Sequence, residues 1–215
     1  MYFELANAGV SRLLLSRNSL TSKNPMARPK SEDKRVAILS AAMQVFAKHG
    51  LAAPTAAISK VAGVAEGTLF TYFHTKDDLV NALYREIKLQ LAAALMSGFA
   101  RKRDVRSKLQ HVWDSYVNWG VANPDPCKVL AQLLVSEKLT EESKAVGFAP
   151  FSEIEVMARD AVARGLLRDL PMEFFTAIME ALAGATMEFM ARNPSSAASF
   201  RQFGFEVFWS GIVAE

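Results

Sequence analysis

The chain of 215 residues is 51% apolar and 22% charged, with a formal net charge of +3 at neutral pH, enough apolar material for the cores of one or two domains. No stretch approaches the roughly 18 consecutive apolar residues of a membrane span. The single cysteine, Cys127, excludes an internal disulfide and a cysteine-built zinc cluster. The expectation is a soluble, cytoplasmic protein with no membrane partner, no metal and no cofactor.

Charge is unevenly spread. Residues 1–75 hold nine Lys and Arg against four Asp and Glu, while the rest holds sixteen against eighteen. A basic end on a nearly neutral body suits contact with a polyanion.

In residues 1–25, Leu13-Leu14-Leu15 lies among Arg12, Arg17 and several serines, but the apolar run is too short for a secretory signal and Glu4 replaces a basic start. This segment reads as a poorly ordered extension ahead of Met26. Arg28 and Lys30 follow, either as a basic arm beside a DNA minor groove or as solvated surface charges. Ser31 reads as the cap of a first helix, with Glu32 and Asp33 in its first turn. Val36, Leu39, Met43 and Phe46 form its apolar stripe, and Gly50 stops it.

Residues 55–73 read as two short helices pivoting on Gly63. Thr55 is a candidate N-cap for the first, which carries Ile58 and Val61. Gly63 ends that helix, since glycine tolerates the left-handed conformation. Leu69 and Phe73 give the second helix an i,i+4 apolar face. Glu66, Gly67, Thr68, Thr71 and Tyr72 remain outward, and such groups suit the floor of a major groove. Thr75-Lys76-Asp77-Asp78 then opens a fourth helix as a near capping box. Leu79, Leu83, Ile87, Leu91, Leu95 and Phe99 run along it.

Further helices are predicted over about 104–122, 125–138, 141–165 (interrupted near Gly147–Pro150), 171–192 and 197–213. No strand-like alternation occurs, so the fold is expected to be all-α. The last two helices are apolar on more than one side, which calls for a second partner. Phe175, Met179, Leu182 and Phe189 mark the first; Phe200, Phe203, Val207 and Phe208 mark the second.

Ile38-Leu39, Ala41-Ala42, Phe46, Gly50, Thr55, Ile58, Ala62-Gly63-Val64, Gly67-Thr68-Leu69-Phe70, Tyr72-Phe73, Lys76 and Leu79 together resemble the DNA-binding domain of TetR-family transcriptional regulators. The likeness runs from Lys34 to about Ile87. It implies a helix-turn-helix domain over 26–80, joined by a long helix to a helical ligand-binding and dimerisation domain over 81–215. It further implies a homodimer on a near-palindromic operator, built on a four-helix seam from the final two helices.

Carried onto this sequence, the resemblance assigns double-stranded DNA contacts to Thr55, Ala65, Glu66, Gly67, Thr68, Phe70, Thr71, Tyr72 and Lys76. Thr55 and Tyr72 would meet phosphate and Thr68 a base edge. Ala65 and Glu66 depart from the family's frequent serine and basic or small residue. Glu66 either accepts a hydrogen bond from a cytosine or merely favours the helix N-terminus. Phe99, His111, Trp113, Tyr116, Trp119, Phe148, Phe151 and Met157 are candidate lining for an apolar or aromatic small-molecule effector. The function implied is a ligand-responsive repressor. A sequence-indifferent, nucleoid-like binder is the alternative, though its reading helix should be more basic. An enzyme is a remote one: Ser31 and Lys34 match a Ser-x-x-Lys spacing, but no phosphate loop or metal-ligand spacing accompanies it.

Overall fold

The computed structural model describes residues 30–214. The extension over 1–25, Arg28 and the side chain of Lys30 lie outside the described residues. Within them are ten α-helices: α1 Lys30–His49, α2 Thr55–Ala62, α3 Glu66–Tyr72, α4 Lys76–Met96, α5 Val105–Ala122, α6 Pro124–Leu134, α7 Glu141–Phe148, α8 Ser152–Ala163, α9 Met172–Arg192 and α10 Ala197–Ile212. The described residues contain no strand, only an isolated bridge between Leu167 and Val213.

Several ends follow their sequence signals. Gly50 leaves α1 with φ 78°. Thr75 and Asp78 form a reciprocal capping box at α4, with Asp78 N–H donating to Thr75 Oγ1 at 3.0 Å and Thr75 N–H to the Asp78 carboxylate at 2.9 Å. The long segment 141–165 breaks at a 3-10 turn over Ala149–Phe151, because Pro150 cannot donate a helical hydrogen bond.

Others differ. Helix α1 begins before Ser31, which therefore lies in its first turn and is not its cap. Ile38, Leu39, Ala42, Val45 and Phe46 face inward, while Val36 is exposed. Thr55 is the first residue of α2 rather than its cap; Pro54 holds that place without a side-chain hydrogen bond. Val61 is exposed as well. Helix α6 stops at Leu134, four residues early, where Ser136 turns back to donate both N–H (3.1 Å) and hydroxyl (2.8 Å) to the Leu133 carbonyl.

Two apolar cores meet along α4 and α5. One joins Ile38, Phe46, Ile58, Leu69, Leu79, Leu83 and Ile87 to Val129, Leu130 and Leu133. The other gathers Trp113, Val117, Phe175, Phe205, Phe208 and Ile212. The first core crosses the boundary expected at residue 80, because α6 packs on α1 as well as α4. The segment after α6 is pinned to the start of α4 by Asn81. Its amide donates to the Asp77 and Lys138 carbonyls, both at 2.8 Å, and accepts from Thr140 N–H at 2.9 Å.

Helix α9 qualifies the expectation drawn from apolar runs. By length and composition alone, Met172–Arg192 could cross a membrane, and most of it lies outside the core of a single chain. Its apolar residues are interspersed with Glu173, Glu180 and Glu188, so no consecutive run reveals it.

If α1–α3 and the helices behind them share a core, a cavity in α6 must be felt in α1. Leu133→Ala should lower stability by about 2–5 kcal/mol, the usual cost of such a truncation, read from urea unfolding. Amide exchange in α1 should accelerate together with that in α6.

Candidate DNA-reading helix and effector cavity

Helix α3 is positioned by one turn and two anchors. Gly63, at φ 67°, donates its N–H to the Lys60 carbonyl, and Val64 N–H donates to Ser59 at 3.1 Å. This left-handed closure swings α3 across α2. Leu69 and Phe73 are buried beneath it, and Val64 is half-buried in the turn. Ala65, Glu66, Gly67, Phe70 and Thr71 are thereby exposed along one side, with Thr68 and Tyr72 half-buried at its edges. The face is nearly uncharged and carries small or hydrogen-bonding groups suited to base edges.

Two of its polar groups already have partners. The Thr55 hydroxyl donates to Glu66 Oε1 at 2.7 Å, tying the starts of α2 and α3 together. The hydroxyl expected to donate to a phosphate is committed to a carboxylate instead. Glu66 consequently has a structural role that neither expectation for it included. Thr71 Oγ1 donates to the Gly67 carbonyl at 3.0 Å, leaving its oxygen lone pairs and methyl outward. Lys76 is half-buried, its ammonium 5.9 Å from the centre of the Phe46 ring. Its pKa is lowered by burial first and by Lys138, against Asp77.

Gly67 is helical, and a Cβ built on it would meet nothing within 4 Å. Internal packing therefore gives no reason for glycine there. Gly67→Ala should stabilise the fold by up to about 1 kcal/mol through helix propensity, while weakening DNA binding. Thermal unfolding and an anisotropy titration measure the two effects on one sample.

A second feature is a cavity of about 130 Å³ between α4, α5, α8 and α9. Leu91, Leu95, Val112, Ile154, Phe175 and Met179 supply much of its apolar wall. Of the candidate effector residues, Tyr116, Phe148 and Phe151 line it. The others do not. Phe99 and Trp113 are fully buried core residues, and Trp113 Nε1 donates to the Arg201 carbonyl at 2.9 Å. His111 Nε2 lies 3.0 Å from the Leu95 carbonyl. Trp119 and Met157 pack against the cores. Large aromatic groups on these helices serve to close the cores as well as the cavity, a distinction that periodicity cannot draw.

The cavity also brings together three charged residues absent from the sequence expectations, Lys88, Glu155 and Glu180, of which Glu155 is paired with Arg159 at 2.6 Å. Lys88 is 5% exposed, and its ammonium lies over the Phe148 and Phe151 rings at 4.2 and 4.6 Å. Burial pushes its pKa down to about 8, partly offset by the charge of Glu180. Burial likewise raises the Glu180 pKa, against Lys88. The available signal was a lysine interrupting the apolar stripe Tyr84, Leu91 and Leu95, and a glutamate within the apolar helix α9.

A lysine with a depressed folded pKa destabilises the fold fully below that pKa, and stability recovers as pH rises from about 8 towards the unfolded value of about 10.5. The double variant Lys88→Met/Glu180→Gln, which removes the buried ammonium and the half-buried carboxylate together, should therefore be more stable at pH 7 by about 1–4 kcal/mol. Denaturant titrations across pH 7–10.5 should show that advantage shrinking.

Helices α9 and α10 present a third face. Phe174, Phe189, Phe203 and Val207 are each at least half exposed on it, and Phe200 packs on Phe189 with ring centres 5.4 Å apart. Met179 and Leu182 are partly buried. Phe175 and Phe208, expected at a dimer interface, belong instead to the core of the chain. Phe208 stacks on Trp113 at 5.7 Å and meets Phe175 edge-on at 5.4 Å. On a helix packed on two sides, the same period serves both faces, and only the neighbours decide which residue goes where. Gly184 and Gly211 have open space where a side chain would stand.

Residues 38–83 match the model for the tetR family of bacterial regulatory proteins. The fatty acid metabolism regulator protein of Bacillus subtilis (strain 168) is 32% identical over 77 residues, covering 35% of this chain and 40% of that protein. The chain thus aligns with less than half the length of that curated relative. A TetR family transcription regulator from Marinobacter aquaeolei VT8 superposes with a TM-score of 0.78 at 21% identity, over 88% of this chain and all of that one. The transcriptional regulator FadR from Bacillus subtilis, solved in complex with stearoyl-CoA, superposes with a TM-score of 0.63 at 19% identity, over 82% and 98% of the two chains. Residues 38–83, which hold the helix-turn-helix, thus carry the DNA-binding domain of the tetR family of bacterial regulatory proteins, and the helical body behind it shares the fold of the solved regulators.

Proposed function

We propose that the protein is a cytoplasmic, homodimeric repressor that releases a near-palindromic operator when a small apolar or aromatic molecule enters the cavity between α4, α5, α8 and α9. The observation that carries this reading is the reach of α4. Its first turn abuts the reading head at Lys76–Asp78, and its middle contributes Lys88, Leu91 and Leu95 to the cavity. A ligand that favours one setting of α4 thereby biases where α3 sits. Release requires only that it bind the DNA-free arrangement more tightly than the DNA-bound one. The stearoyl-CoA held by FadR supports an effector with an apolar body.

The exposed face of α9 and α10 is taken as the seam between two copies rather than as a lipid surface. Glu173 and Glu188 near the ends of α9, and Glu180 within it, make a bilayer an expensive environment. Gly184 and Gly211 would admit the close approach of a partner helix. A sequence-indifferent binder is disfavoured by the outward face of α3, which bears Glu66 and no cation.

Selection of bound DNA from a random pool tests the reading. The expected product is one inverted-repeat site, and Thr68→Ala should change preference at one or two of its base pairs. Recovery of unrelated sequences would count against a specific operator. Phe203→Glu/Val207→Glu should convert a dimer in sedimentation velocity into monomer or insoluble protein, since two unpaired charges would be buried in the seam.

A further inference from the structure

Lys88 is the least expected residue in the cavity. Its ammonium has three donors, yet its partners among the described residues are two ring faces and the more distant charge of Glu180. No ion pair within 4.0 Å joins Lys88 to Glu180. Ring faces attract a cation but supply no hydrogen-bond acceptor. Elsewhere the wall is mainly aliphatic and aromatic, broken by Tyr116, Thr176, Glu180 and Glu155, the last paired with Arg159. Burying such a charge is costly unless it is paired. A nonpolar side chain of similar length would fill the same space, so stability alone does not account for a lysine here.

We infer that the cavity binds a compact organic acid, its carboxylate on the Lys88 ammonium and its apolar body against Leu91, Leu95, Val112 and Met179. This deepens the ligand-responsive reading and rests on it. Size narrows the class further. A cavity of about 130 Å³ is close to the roughly 150 Å³ that accommodates benzene. An aryl-acetic acid or a short fatty acid fits it, whereas a whole acyl-CoA does not. An amine is disfavoured because the place beside Phe148 and Phe151, where a ligand cation would gain most, is already taken by Lys88. Glu180 sharpens the selection. Its carboxylate opposes a second one in the cavity, an opposition that an uncharged amide in its place would remove.

The experiment is calorimetric titration of the intact protein with phenylacetate, 2-phenylethanol and 2-phenylethylamine, and with hexanoate and 1-hexanol. Fluorescence anisotropy on a selected operator fragment runs in parallel. The acids should bind about tenfold or more tighter than the matching alcohols, the scale of one charge-assisted hydrogen bond, and the amine weakest. Lys88→Met should abolish that preference, bringing acid and alcohol to equal affinity. Glu180→Gln should tighten acid binding, and serves as the second arm if Lys88→Met does not fold. Equal binding of acid and alcohol, tightest binding of the amine, binding of no probe, or an acid preference surviving in Lys88→Met would each overturn the inference. Operator release by an alcohol or amine but not by an acid would overturn it while sparing the ligand-responsive reading. Acid binding through Lys88 without operator release would do the reverse.

Discussion

The structure depends most on the packing of α1 against α4 and α6. Phe46, Leu79, Leu83 and Leu133 are each fully excluded from solvent and belong to one cluster. Beside α1 the head has little apolar surface of its own, since α2 and α3 span only eight and seven residues. Isolated helices of that length are marginal in water. Their order is borrowed from the long helices beneath them. The same economy makes the head sensitive to the body, since close-packed cores transmit displacement rather than absorb it.

The cavity represents the opposite choice. Its wall could have been closed by apolar side chains, and the fold instead keeps a nearly buried ammonium over two rings. Proteins keep such destabilising features chiefly where they act. Lys88 lies twelve residues after Lys76 on the same helix, so the charge that sets ligand chemistry and the turn that supports α3 share one rigid rod about 18 Å in length.

Helix α9 reconciles three roles. One side carries Phe175 into the core with Trp113 and Phe208, another brings Met179 and Glu180 to the cavity, and a third leaves Phe174 and Phe189 exposed. A helix apolar nearly all round is expected when every side has a neighbour. Its resemblance to a membrane span by composition alone has the same origin.

Local chemistry was legible in the sequence. The capping box at Thr75, the left-handed glycines and the proline breaks act within a few residues, so spelling and geometry coincide. The all-α class, the turn at Gly63 and the outward face of α3 followed from these, and the spaced residues of the reading head carried the family. What lay outside the sequence's reach were choices among partners distant along the chain. Thr55 looked like a cap until α3 brought Glu66 to its hydroxyl. Phe175 and Phe208 had the period of an exposed seam until Trp113 filled the space between α5, α9 and α10. Phe99 and Trp113 were as aromatic as the residues that line the cavity. Lys88 drew no expectation from the sequence, because its meeting with Phe148, Phe151 and Glu180 exists only once α4, α7 and α9 have packed. Periodicity fixes which side of a helix is apolar; which apolar neighbour it meets, and what space remains between them, are properties of the packed whole.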